Sequence, residues 1–312
     1  MTNLSMDSQI NVRIVNKLIL ILLLLWFLPV IIHIPHEVFS NKNINNSIQS
    51  YGVAFLIVLL LILFKPKAIR EFVQDSRFKT VPRWHETLMV IGTNYIIIIG
   101  LLVFFLGLLN LFSLTIGEIY ELSDAYNQFT YLPYNKITGA FDLFSGAVNF
   151  LAVVIIIPLY EELLYRGLAL RAYEKACSPL FAAAFTAVLF SLFHLNVPQL
   201  IFLFPVSFII ARAVQVLGSW WIAVIFHVIH NGLIFFISSF TFANKNITEN
   251  PISLWLGLVG LLLAIAAFGI AMYWFKTCDQ QTSIFDRNKK KEKVFTLSLN
   301  IFIVICFILM IQ

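Results

Sequence analysis

Long apolar runs separated by short charged segments are the dominant pattern of this chain. About twenty apolar residues are needed for a helix to cross the hydrocarbon core of a bilayer. Nine runs are candidates for such helices, at residues 18–36, 48–64, 87–114, 143–175, 178–196, 199–217, 219–241, 252–275 and 294–312. The pattern therefore predicts an all-α, polytopic membrane helix bundle.

The composition supports a membrane protein and argues against a nucleic-acid-binding one. Hydrophobic residues make up 60% of the 312 residues and charged residues 12%, whereas roughly a quarter of a soluble domain is charged. The net charge of +5 forms no basic face, because the Lys and Arg residues lie mainly in loops between spans. We therefore expect an integral membrane protein that contacts the lipid bilayer and no nucleic acid.

Two basic loops set the predicted topology. Segments 65–86 and 276–293 together carry twelve of the 21 Lys and Arg residues, and an excess of these residues is typical of cytoplasmic loops. Six predicted spans separate the two loops, an even number that agrees with both lying on the cytoplasmic side. The N-terminus, with Arg13 and Lys17, is then also expected to be cytoplasmic.

The spans divide into three parts of a single membrane domain. Residues 1–136 contain no intramembrane charge and are predicted to be N-terminal scaffold spans. Residues 143–240 contain the polar clusters and form the candidate catalytic core, and residues 252–312 are predicted to be C-terminal spans. An ionisable side chain at membrane depth is costly unless it is paired or lines a wet cavity, so the core is where function is expected.

The first polar cluster contains two adjacent carboxylates. Glu162 and Arg166 are four residues apart on a predicted helix, which places them on one face where they can form an ion pair. Glu161 lies about 100° around the same helix, so it is left for another partner. A carboxyl group in such an apolar setting can serve as a general base or acid.

The second cluster supplies a partner for Glu161. If the chain turns near Pro179, Glu161 and His194 lie at similar distances before and after the turn, roughly 24 Å at about 1.5 Å per residue. Antiparallel helices would then bring these two side chains to the same depth. Phe190 lies one turn from His194 and can place an aromatic ring beside the imidazole.

The third cluster offers hydrogen-bond donors. His227 and Asn231 are four residues apart and share a helix face. An imidazole and an amide side by side can stabilise a developing oxyanion. No HExxH, GxSxG, glycine-rich phosphate loop or EF-hand loop occurs in the chain, which argues against the corresponding hydrolase and nucleotide-binding classes.

At these residues the chain resembles the CPBP family of intramembrane proteases (CAAX protease and bacteriocin-processing, also called Abi), which includes the type II CAAX prenyl endopeptidase. Three motifs carry the resemblance in order: EExxxR at Glu161, Glu162 and Arg166, FxxxH at Phe190 and His194, and HxxxN at His227 and Asn231. Gly167 and the Gly-Ser-x-Trp stretch at 218–221 also look like the family. The resemblance covers residues 143–240.

The resemblance implies about eight helices around an intramembrane polar cavity, which makes the expected bundle one of eight or nine. It also implies roles for the motif residues. Glu161 and His194 would activate a water molecule, and His227 with Asn231 would stabilise the tetrahedral oxyanion. Glu162 and Arg166, together with Phe190, would support the site rather than take part in the chemistry.

No cofactor is favoured, although zinc is an alternative. Two imidazoles and a carboxylate can bind zinc with an open position, and the ligands would then be Glu161, His194 and His227. The HxxxN motif instead supplies an amide where a zinc site prefers a stronger ligand. The metal-free mechanism is therefore the preferred hypothesis, and a metal-dependent protease stays open.

The expected substrate is a peptide or a membrane protein. Two other function classes stay open: a non-catalytic membrane scaffold or bacteriocin-immunity protein of the same fold, and a transporter. The absence of an inverted repeat argues against the transporter. The richness in Phe, Ile and Asn is compatible with an AT-rich bacterial genome, so we expect a bacterial plasma-membrane protein.

Overall fold

The structure, a computed structural model, describes residues 15, 16, 19, 74, 76–112, 134–135, 140–141, 143–194, 197–241 and 252–282. It contains helices α1 (Ser76–Lys79), α2 (Trp84–Leu111), α3 (143–176), α4 (Pro179–Phe193), α5 (Val197–Leu217), α6 (Trp221–Thr241) and α7 (Leu254–Thr282). Two strands of two residues, β1 (Tyr134–Asn135) and β2 (Ala140–Phe141), pair antiparallel before α3. Within these residues the chain is otherwise helical, as predicted.

Six of the nine predicted spans correspond to helices α2 to α7, with ends that differ by a few residues. Four of them contain helices long and apolar enough to cross a membrane, at Trp84–Leu111, Gly146–Ala176, Leu200–Leu217 and Leu254–Cys278. Helices α4 and α6 contribute shorter apolar stretches, Pro179–Phe193 and Trp221–Phe236. The predicted spans 18–36, apart from Ile19, 48–64 and 294–312 lie outside the described residues.

Local sequence explains where the core helices begin. Pro179 occupies the start of α4, where its missing N–H is not needed, and the Ser178 hydroxyl accepts a hydrogen bond from the Phe181 amide at 3.4 Å. Between α5 and α6, Gly218 adopts a positive φ of 66°, a conformation that glycine allows without strain. The first turn connects α3 with α4, and the second connects α5 with α6.

Helix α3 contains two segments with a wider hydrogen-bond spacing than an α-helix. Segments Leu151–Ile156 and Leu163–Ala169 are π-helical, and α-helical segments lie before, between and after them. The amide of Ile157 donates to the carbonyl of Ala152 and that of Leu170 donates to Tyr165, a spacing of five residues in each case. π-Helical turns are rare and are frequent at functional sites. Here they flank Ile157–Glu162, the segment that carries both carboxylates.

The backbones of helices α2 and α7 approach closely at two pairs of glycines. A Cβ atom on Gly260 would lie 2.7 Å from the Gly100 carbonyl oxygen, and one on Gly107 would lie 3.0 Å from the Gly257 Cα. Small residues at such a crossing allow two membrane helices to gain van der Waals contact along their length. The two helices also pack on α5, and so they enclose the core from one side.

We expect Gly260→Ala to lower the thermal stability of the purified protein, because the new methyl group would push the α2 backbone away. Gly269→Ala on the same helix is the matched control, since no atom lies within 4 Å of its added Cβ. The melting temperature in detergent measures both. Equal melting temperatures for the two variants would contradict close packing at this crossing.

Candidate functional site

Glu162 is the centre of the polar cluster. Its Oε1 atom accepts a hydrogen bond from Arg166 Nη1 at 3.0 Å and another from His227 Nδ1 at 2.8 Å. The side chains of Glu162 and Arg166 are each only 1% exposed. The ion pair predicted from the four-residue spacing therefore forms, and it includes an imidazole that the spacing did not predict.

Arg166 is held by two further contacts. Its Nη2 donates to the Ser207 hydroxyl of α5 at 2.8 Å, and its guanidinium carbon lies 4.5 Å from the centre of the Phe190 ring of α4. A cation over an aromatic face is stabilised, especially where water is excluded. Arg166 thus joins helices α3, α4 and α5.

His227 lies between the two carboxylates. Because its Nδ1 donates to the Glu162 carboxylate, its Nε2 points towards Glu161, with 3.7 Å between Nε2 and Oε2. That distance is longer than a hydrogen bond. A carboxylate that holds one ring nitrogen fixes the orientation of the other, so Glu162 orients His227 towards Glu161.

His194 lies directly after the C-terminal end of α4. Helix α4 ends at Phe193, and His194 Nδ1 donates to the Phe190 carbonyl at 2.9 Å. Between the described side chains of Glu161 and His194 the structure records no hydrogen bond or ion pair. The observed register of α3 and α4 is close to the predicted one, because the Tyr165 ring of α3 contacts both Phe190 and Phe193 of α4.

Phe190 connects the two imidazoles. Its ring centre lies 4.9 Å from that of His194 and 5.9 Å from that of His227. Because the Nδ1–H of His194 is bonded to a carbonyl oxygen, the neutral ring has its lone pair on Nε2. His194 can therefore accept a proton at Nε2, and its ring contacts the same Phe190 side chain as the ring of His227.

The two adjacent carboxylates differ in exposure. The Glu161 side chain is 10% exposed, whereas the Glu162 side chain is 1% exposed and bonded to two cationic or polar partners. Glu161 is therefore the carboxylate that retains access for a small molecule such as water. Glu162 is committed to holding Arg166 and His227.

Asn231 is bonded to a carbonyl that α3 cannot satisfy by itself. Its Nδ2 donates to the Val153 oxygen at 2.9 Å. In the π-helical spacing the Ile157 amide is already bonded to Ala152, and the next residue, Pro158, has no N–H to offer. The Asn231 amide supplies the missing donor, and its second N–H is not used in this bond.

A zinc site formed by three protein ligands is the alternative to a metal-free site. Among the described residues, no three His, Cys, Asp or Glu side chains form a group that could hold a metal ion. The alternative ligand set of Glu161, His194 and His227 is therefore not found as such a group in the described part of the chain. We derive no step through a metal.

Three contacts of the site were not predicted. The His227–Glu162 bond was missed because helix spacing relates residues of one helix, and these two lie on different helices 65 positions apart. Ser207 was missed because a single hydroxyl in an apolar helix gives no pattern. The indole Nε1 of Trp220 donates to the Glu162 carbonyl oxygen at 2.9 Å, but the stretch 218–221 was used only as a feature of the family resemblance.

Comparison with known families supports the resemblance. Residues 143–233 match the family described as type II CAAX prenyl endopeptidase Rce1-like, and this segment contains all three motifs. The match spans less than a third of the chain and supports a membrane protease. No curated protein matches the chain, and no solved structure matches it.

Proposed function

We propose that this protein is an intramembrane endopeptidase that hydrolyses a peptide bond of a membrane-associated protein or peptide. The observation that carries the proposal is that the two carboxylates differ in exposure and in bonding partners. Glu162 is buried and bonded to Arg166 and His227, while Glu161 stays partly exposed beside the free nitrogen of His227. The family match over the same residues supports peptide hydrolysis as the chemistry.

In the proposed mechanism Glu161 acts as the general base. It takes a proton from a water molecule, assisted by Nε2 of His194, and the resulting hydroxide forms a bond to the scissile carbonyl carbon. Proton transfer by a positioned side chain contributes typically about 10²–10⁴-fold to a rate. The protonated Glu161 then gives its proton to the leaving amine as the C–N bond breaks, which restores the carboxylate.

His227 and Asn231 stabilise the tetrahedral intermediate. When the His227 ring carries both protons, Nδ1–H stays on Glu162 and Nε2–H is free to donate to the oxyanion. Asn231 contributes its second N–H, while its first remains on Val153. Preorganised donors of this kind are among the largest contributions to acyl-transfer catalysis.

The proposed setting is the bacterial plasma membrane, with a cytoplasmic N-terminus. A substrate peptide would reach the site from within the bilayer or from its edge. The segment of the substrate that is cleaved would have to be locally unfolded to enter the site. No soluble cofactor is required by the mechanism.

The direct test is cleavage of a quenched fluorescent peptide library by detergent-purified protein. We expect the wild type to cleave a subset of peptides, with or without a strong metal chelator, and Glu161→Gln to cleave none of them. Glu174→Gln is the matched control, because Glu174 lies on the same helix but pairs with Arg77 outside the site. Equal activity of Glu161→Gln and the wild type would overturn the proposal. Loss of wild-type activity on addition of the chelator would favour the metal-dependent alternative.

A double variant separates the two roles of Asn231. Asn231→Ala is expected to lower both the melting temperature and the activity, because it leaves the Val153 carbonyl unbonded and removes an oxyanion donor. Leaving a buried polar group unsatisfied costs about 1–3 kcal/mol. Adding Pro158→Ala supplies a backbone N–H at the position where the donor is missing, so stability should recover while activity stays low. Recovery of both properties would show that Asn231 has a structural role alone.

A further inference from the structure

The turn between α5 and α6 contacts the α3 segment that carries the two carboxylates through one side chain, Trp220. Trp220 is 4% exposed, and its indole Nε1 donates to the backbone carbonyl of Glu162 at 2.9 Å. Glu162 is the last residue before the π-helical segment Leu163–Ala169. The bond therefore attaches to α3 at the point where its hydrogen-bond spacing changes.

A second polypeptide segment holds the turn in place. The Trp220 amide donates to the Arg77 carbonyl at 2.9 Å, the Ser219 hydroxyl to the Thr80 carbonyl at 2.7 Å, and the Trp221 indole to the Phe78 carbonyl at 2.8 Å. The Phe78 ring also lies 5.5 Å from the Trp220 ring and 5.8 Å from the Trp221 ring, centre to centre. Residues 76–80 thus bind the turn through three backbone carbonyls and one aromatic side chain.

Helix α6 contacts α3 on both sides of the carboxylates. Asn231 bonds the Val153 carbonyl in the first π-helical segment, and Trp220 bonds the Glu162 carbonyl at the start of the second. His227 lies between these two donors on α6 and bonds the Glu162 side chain. A change between α-helical and π-helical hydrogen-bond spacing on either side of Ile157–Glu162 alters the rotation of this segment about the helix axis. The Asn231 amide and the Trp220 indole fix that rotation relative to α6.

We propose that Trp220 is a positioning residue that sets the rotation of α3 at Glu162, so that the Glu162 carboxylate meets His227 Nδ1 and Glu161 faces Nε2. Residues 76–80, which lie outside the family-matched segment, complete the site by holding Trp220. This inference rests on the proposed function for its effect on catalysis. The structural part of the inference is that the Trp220 indole helps to fix the π-helical hydrogen-bond spacing of α3, and this part does not depend on enzymatic activity.

The matched pair Trp220→Phe and Trp221→Phe tests the proposal. Each variant keeps an aromatic ring against Phe78 and removes one indole N–H, but only Trp220 donates to the site. For Trp220→Phe we expect kcat to fall about three- to tenfold with KM unchanged, which corresponds to the loss of one hydrogen bond. For Trp221→Phe we expect a smaller fall in kcat, because residues 76–80 still hold the turn through the Arg77 and Thr80 carbonyls.

Hydrogen–deuterium exchange measures the structural part without a substrate. We expect backbone amides of residues 163–169 to exchange faster in Trp220→Phe than in the wild type, and those of residues 76–80 to exchange faster in Trp221→Phe. If the wild type cleaves no peptide, the proposed function fails while this exchange comparison still decides the role of Trp220. The same exchange rates at 163–169 in both variants would overturn the inference.

Discussion

His227→Gln is expected to lower kcat/KM about a thousandfold or more. The substitution removes the ring nitrogen that faces Glu161 and the charged donor for the oxyanion, and loss of one oxyanion donor alone costs about 10²–10³-fold in rate. It also removes the imidazole that Glu162 orients through the 2.8 Å bond to Nδ1. Steady-state kinetics on the best peptide from the library screen measure the effect.

His230→Gln is the matched control for this prediction. His230 lies on the same helix three residues later, and its ring stacks on Phe226 with 5.7 Å between ring centres and contacts Tyr95. It has no described contact with Glu161 or Glu162. We expect its kcat/KM to stay within severalfold of the wild type. A comparable loss in both variants would indicate that helix packing, and not the chemistry of His227, is responsible.

Arg166→Met is expected to destabilise the fold by about 3–5 kcal/mol, because it leaves the Glu162 carboxylate buried without its cationic partner. Arg166 also bonds Ser207 and covers the Phe190 ring, so three helices lose a common contact. The loss should be visible as a fall in melting temperature in detergent and as poorer yield of folded protein. Glu162 is 1% exposed, so water cannot replace the missing charge.

Two further variants show whether the charge is the cause. Arg77→Met breaks an ion pair with Glu174 whose side chains are 26% and 14% exposed, and pairs near the surface contribute roughly 0–1 kcal/mol. Glu162→Gln combined with Arg166→Met removes both charges and should recover part of the stability. A double variant as unstable as Arg166→Met alone would contradict this explanation and point to the lost packing.

Apolar run length predicted the helices because each run in the bilayer must satisfy its own backbone hydrogen bonds. The ion pair between Glu162 and Arg166 followed from spacing on a single helix, which is a local property. The Tyr165 contacts with Phe190 and Phe193 show that counting residues from the turn at Pro179 gave nearly the right register for neighbouring helices.

Contacts between helices distant in sequence could not be obtained in this way. The orientation of His227 depends on the tilt of α6 and on two π-helical segments of α3, and neither has a sequence signature that length or periodicity reveals. The proline at 158 is visible in the sequence, but the donor that compensates for it, Asn231, lies 73 positions later. The role of the amide as a partner for the backbone becomes apparent only when both helices are in place.

The glycine contact between α2 and α7 forms late in the synthesis of the protein. Gly100 is synthesised 160 positions before Gly260, and membrane helices are inserted from the N-terminus onwards as translation proceeds. The glycine face of α2 therefore lacks its α7 partner while α3 to α6 are inserted. A nascent chain that stops before residue 254 leaves the α2 glycines without this contact, so the membrane insertion and quality-control machinery meets an incomplete bundle.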